Sequence, residues 1–126
     1  MGLSQTLTIS INGKKNSLEI DKLHSFHKLI VADSMPLVEG CVILTDEMVK
    51  YLMQSIKTEI FETRCAGVEM RHKYPQGFRL GEGPDAYHDV WKRTMQIEVL
   101  EEIIMFFKTN SPKTTDDVRV TYSFCC

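Results

Sequence analysis

Leu7, Ile9 and Ile11 alternate with Thr8 and Ser10, the period of a strand with one buried face. Asn12-Gly13 follows, a pair suited to a type I′ turn because both residues tolerate positive φ. A two-residue loop there pairs Ile11 with Lys14 and Leu7 with Leu18, which brings Leu18 and Ile20 onto the face of Leu7, Ile9 and Ile11. Residues 6–20 therefore read as a β-hairpin.

The period then lengthens. Leu23, Phe26, His27 and Ile30 recur at helical spacing behind Asp21, a candidate cap, and Pro36 sets a limit to this first helix. Residues 37–44, LVEGCVIL, read as a buried strand in which Gly40 marks a bulge or a close approach and Cys41 a core thiol. Thr45-Asp46-Glu47 opens the strongest helix, with Met48, Tyr51, Leu52, Ile56 and Ile60 on one stripe. It should run to about Arg64 and end at Ala66-Gly67, glycine being suited to a left-handed cap. Val68, Met70 and His72 alternate like a short strand before Tyr74-Pro75-Gln76-Gly77 turns the chain.

The stretch from Gly81 to Thr109 holds the single Trp and the densest apolar run, and it carries two periods. Gly83-Pro84-Asp85 reads as a helix start, followed by Tyr87, Val90, Trp91 and Met95 on one side. At ~100° per residue, Leu100, Ile103, Ile104 and Phe107 project to the other side. Either one helix changes its buried side, or a short helix ends near Arg93 and strands follow. Met, Gln, Glu and Leu dominate residues 95–102, and their propensity favours the helix. Asn110-Ser111-Pro112-Lys113 is a loop, and Val118, Val120 and Tyr122 alternate as a last strand. The pattern predicts one α+β domain over residues 1–126: an N-terminal hairpin, two to three helices packed on a mixed or antiparallel sheet, and a C-terminal strand.

Composition narrows the picture. Hydrophobic residues make up 43% and charged residues 25%, as in ordinary globular chains, so disorder, collagen and coiled coil are excluded. A formal charge of −2 and a pI near 6.1 exclude a strongly basic nucleic-acid binder but allow a local basic patch. No apolar run approaches the ~18 residues of a membrane helix, and the N-terminus lacks a signal-peptide pattern. The expectation is a soluble intracellular protein, cytoplasmic or nuclear, without membrane contact. Cys41, Cys65, Cys125 and Cys126 show no CxxC spacing, so reduced thiols and no zinc site are expected. Gly2 with Thr6 fits the loose myristoylation pattern, but a strand starting at Thr6 leaves little free tail.

Two resemblances accompany these readings. The order hairpin, helix, strand, helix and the passage CVILTDEMVKYL, residues 41–52, resemble BTB/Skp1-type folds, although the final strand departs from the helical ending of that family. No family assignment rests on it. Cys125-Cys126 is similar to the double-cysteine ending prenylated in Rab-type GTPases, but the nucleotide motifs are missing. A strand ending in two small hydrophobes is the plainer account.

Candidate chemistry is sparse. Arg71, His72, Lys73 and Arg79 flank Tyr74 and Phe78, a mix that holds phosphates and stacks on bases or on an acidic peptide. A helix N-terminus at Gly83-Pro84 follows, but the glycine count and lysine of a P-loop are missing and Glu82 opposes an anion. His24 and His27 are three apart without a further ligand, so no metal and no cofactor are expected. Three functions remain. The first is a non-catalytic protein-interaction or adaptor domain, oligomeric or part of a complex, with a surface at Trp91, Leu100, Ile103, Ile104, Phe106 and Phe107. The second is nucleic-acid binding through the basic loop 71–79, helped by Lys14 and Lys15. The third is an enzyme using His72 or His88 with Asp85 or Asp89.

Overall fold

A computed structural model describes residues 2–31, 39–79, 81–113 and 115–125. In chain order they form β1 (Ser4–Ile11), β2 (Lys14–Asp21), α1 (His24–Ile30), β3 (Glu39–Leu44), α2 (Asp46–Lys73), α3 (Asp85–Thr109) and β4 (Val118–Cys125). The strands make one antiparallel sheet in the order β2-β1-β4-β3. This is the expected α+β fold with an N-terminal hairpin and a C-terminal strand. The hairpin has the expected register, Ile11 opposite Lys14 and Leu7 opposite Leu18. Its turn has φ of 51° at Asn12 and 87° at Gly13, both positive as a type I′ turn requires.

Strand alternation sorts the sheet into two faces. Gln5, Leu7 and Ile9 of β1, Ile20 of β2, Leu44 of β3 and Val120, Tyr122 and Phe124 of β4 are buried on one of them. Phe26 of α1, Leu52, Ile56 and Ile60 of α2, and Leu100 and Ile103 of α3 complete that core. Each apolar side chain among them contributes roughly 1.5–3 kcal/mol by leaving water. The opposite face is open and rich in hydroxyls, with Thr8 and Ser17 hydrogen-bonded across the strands at 3.1 Å.

Gln5 brings a polar group into the core. Its Nε2 donates to the Leu23 carbonyl (3.0 Å) and the Tyr122 hydroxyl (2.9 Å), while its Oε1 accepts from the Leu23 N–H (2.8 Å). The Tyr122 hydroxyl in turn lies 2.6 Å from His27 Nδ1. The hydroxyl thus links Gln5 to His27 through one oxygen, which can both accept and donate. Burial, and secondarily the neighbouring His24, hold His27 below the ordinary imidazole range.

Several local expectations are corrected. Asp21 does not cap α1: it ends β2 opposite Ser4, and the helix begins at His24 behind Leu23. Cys41 is exposed rather than core, because it lies opposite Ser123 on the open face while Leu44 faces inward. Gly40 does mark a close approach, since a Cβ there would come within 3.0 Å of the Phe124 ring. Helix α1 ends at Ile30, before Pro36 as expected, while the Leu37-Val38 start of β3 and Cys126 lie outside the described residues.

The largest correction concerns α2. It does not stop at Ala66-Gly67 but runs 28 residues to Lys73, so Val68, Met70 and His72 are helical. Glycine inside a helix costs ~1 kcal/mol, a sum that contacts along so long a helix outweigh. The left-handed glycine after the helix is Gly77, with φ of 68°. Thr45 caps the start as expected, its Oγ1 accepting from the Met48 N–H at 3.3 Å. Tyr51 is exposed instead of sharing the buried stripe.

Helix α3 resolves the two periods of residues 81–109. It is one helix of 25 residues, preceded by Pro84 in an extended conformation. Leu100 and Ile103 face the sheet core, whereas Val90 is buried outside that core. The buried side changes because residues 97–107 pack against the sheet core, whereas Tyr87, Val90 and Trp91 face α2 and Tyr74.

Candidate functional site

Helices α2 and α3 run antiparallel, joined across the pair by the Arg64–Glu101 ion pair. Among the described residues, none of 61–96 belongs to the cluster built on the sheet. Thirteen residues separate Ile60 from Lys73, so at 1.5 Å per residue the hairpin continues ~20 Å past its last buried sheet contact on α2. Among the described residues, this distal part buries Thr63 and Val90, and the Thr94 hydroxyl donates to the Val90 carbonyl at 2.8 Å.

Its tip is an aromatic knot. Tyr74, Phe78 and Tyr87 meet edge-to-face with centroids 4.8, 5.9 and 5.1 Å apart. Gly83, at φ of 88°, lets the Phe78 ring lie on the backbone where a Cβ would come within 2.5 Å of it. The tight loop ahead of α3 thus depends on both glycine properties, positive φ and the missing side chain.

Behind the knot, a cavity of about 110 Å³ opens between Gly67, Arg71 and Tyr74 on one side and Tyr87, Val90 and Trp91 on the other. Nothing lies within 4 Å of the position a Gly67 Cβ would take. A shallower depression of about 260 Å³ adjoins Phe78, His88 and Trp91. Trp91, 49% exposed, borders both.

The hairpin also presents apolar groups to solvent. Phe61 (69% exposed) and Val68 (52%) of α2 and Met105 (62%) of α3 stand, with Trp91, more than ~100° around their helices from the centre of the row facing the sheet. The Phe61–Val68 spacing of seven is legible in the sequence on the side of α2 that otherwise reads as polar. Gly67, read as a helix terminator, carried no such signal.

The sequence-derived candidates fall into separate places. Arg71, His72 and Lys73 are exposed in the last turn of α2, with Lys73 Nζ 5.7 Å from the Tyr74 ring centre, and Arg79 is exposed in the loop. Lys14 and Lys15 are remote from them. They begin β2, whose Asn16 donates to Asn110 at the far end of α3, so ~37 Å of helix intervenes.

Of the expected interaction set, only Trp91 is open. Leu100 and Ile103 are 2% and 0% exposed in the core, and Ile104, Phe106 and Phe107 pack against it, because the sheet takes up this side of α3. His72 is exposed, and His88 Nε2 is hydrogen-bonded to the Glu82 carbonyl. Asp89 faces Arg93 at 3.5 Å instead of a histidine. Among the described residues, no three His, Cys, Asp or Glu side chains converge as a metal site needs, and no helix is long and apolar enough to cross a membrane.

Searches with family models, among curated proteins and among solved structures find no match to the chain.

Proposed function

We propose that the chain is a non-catalytic protein-interaction module, with the sheet as scaffold and the distal α2–α3 hairpin as the recognition element. The observation that carries this reading is the cavity between the helices, bordered by a half-exposed tryptophan. Exposed aromatic anchors beside pockets are the residues that dominate binding energy at protein interfaces. Phe61, Val68 and Met105 extend apolar surface along the same hairpin.

Nucleic-acid binding through residues 71–79 has less support. Tyr74 and Phe78 spend their rings on each other and on Tyr87, which leaves little aromatic face for a base.

Size-exclusion chromatography with light scattering, joined to affinity capture by the full chain, tests the reading. A complex, with itself or another protein, is expected for the wild type and for Tyr51→Ala, and its loss for Trp91→Ala and Phe61→Ala. A lone monomer that retains nothing would overturn it.

A further inference from the structure

The cavity under Trp91 has three properties that together describe what fills it. Its walls are largely apolar, formed by Met70, Tyr74, Tyr87, Val90 and the indole. An apolar cavity of ~150 Å³ accepts benzene, so 110 Å³ suits a branched aliphatic side chain better than an aromatic ring. Gly67 keeps the space available: its φ is not positive and a Cβ would meet nothing within 4 Å, so neither backbone geometry nor crowding demands glycine in this helix. Alanine would be favoured there by helix propensity, yet its methyl group would enter the cavity wall.

Charge supplies the third property. Arg71 is the sole charged residue lining the cavity, and among the described residues no carboxylate pairs with it. The nearest acids in sequence point elsewhere: at ~100° per residue, Glu69 lies ~160° around α2 from Arg71, and Asp89 lies ~160° around α3 from Trp91. A guanidinium left open beside an apolar pocket fits a carboxylate carried next to an apolar anchor.

We infer that the cavity receives one branched aliphatic side chain of an acidic peptide segment, with Arg71 holding a neighbouring carboxylate. The inference rests on the interaction-module reading and names the chemistry of the partner at that site.

Trp91 is the single tryptophan, so its fluorescence reports the cavity directly. The probe is an acetylated, amidated decapeptide of Asp and Glu with one central Leu. Two control peptides carry Ala in place of the Leu or Lys in place of the acids. The acidic Leu peptide is expected to give a saturable blue shift, with both controls about tenfold weaker or more, the scale on which an interface anchor acts. Arg71→Glu should lose a similar factor, and Gly67→Leu should abolish the shift. Gly67→Ala guards against misfolding as an explanation, because it should weaken binding while raising the melting temperature.

No saturable shift with the acidic Leu peptide, equal response to the Lys peptide, or an unchanged response in Gly67→Leu would each overturn the inference. A shift that depends only on protein concentration, with a doubled mass in light scattering, assigns the cavity to a second copy. That outcome removes the peptide and leaves the interaction module standing, whereas a monomer that binds neither peptide, copy nor captured protein removes both.

Discussion

Tyr122 sits fully buried in β4, and its hydroxyl joins Gln5 of β1 to His27 of α1. Removing that oxygen leaves the Gln5 amide short of an acceptor and takes from His27 Nδ1 its hydrogen-bond partner. Tyr122→Phe should therefore cost ~1–3 kcal/mol in urea denaturation, more than loss of one average hydrogen bond, with the fold retained. The same network makes stability depend on pH. His27 is held below its ordinary value of 6.5, first by burial and then by His24. The folded chain therefore binds this proton less readily than the unfolded chain, so stability from neutral His27 is fully present above pH ~6.5 and is lost as pH falls through the lowered value. Denaturation compared at pH ~7.5 and ~5 should show a fall in stability that is smaller in His27→Gln. An equal fall in both would place the pH dependence on other groups.

Helix α3 makes two different demands on its sequence along one continuous backbone. Its C-terminal half packs on a sheet, and its N-terminal half packs on α2 and Phe78. Ile103→Ala should cost ~2–5 kcal/mol, the range for a deep core truncation, and Val90→Ala distinctly less, because the distal hairpin can open without breaking the sheet core. Amide exchange should agree, with residues 64–73 and 85–96 exchanging faster than 50–60 and 98–107. Uniform protection would mean that the hairpin and sheet open as one.

This division explains which features were legible in the sequence. Leu7, Ile9 and Ile11 with Asn12-Gly13 fixed the hairpin register because strand period and turn chemistry are local. Tyr87 to Phe107 was ambiguous because its period answers to two partners distant in the chain. Gly67 reads as a terminator because nothing local distinguishes a helix-ending glycine from one kept inside a helix beside a cavity. Cys41 and Tyr51 read as core residues from their apolar neighbours, since a single sequence does not say which face of a strand or helix its partners will cover. For the same reason Leu100 and Ile103 stood out as a surface, while Phe61 and Val68 did not.

At the scale of the whole molecule, the scaffold and the proposed recognition element draw on different packed residues. Substitutions in the cavity and on the outer hairpin should change binding with little effect on the sheet, and those around Tyr122 the reverse. Circular dichroism melts beside binding isotherms for Trp91→Ala and Tyr122→Phe check this crossing pattern.

The strand order has one more consequence, for the chain as it is made. β4 lies between β1 and β3, and Ser4 pairs with Cys125. A ribosome delivers β1, β2, α1, β3 and both long helices before the strand that joins the two parts of the sheet. Until residue 125 has emerged, β1 and β3 each offer an unpaired edge and a half-covered apolar face, the kind of surface that recruits chaperones or neighbouring nascent chains. Folding of this sheet is therefore completed only after nearly all of these residues have left the exit tunnel. A ribosome stalled with residues beyond 117 still inside the tunnel should hold a protease-sensitive chain, and one stalled after release of residue 125 a resistant one.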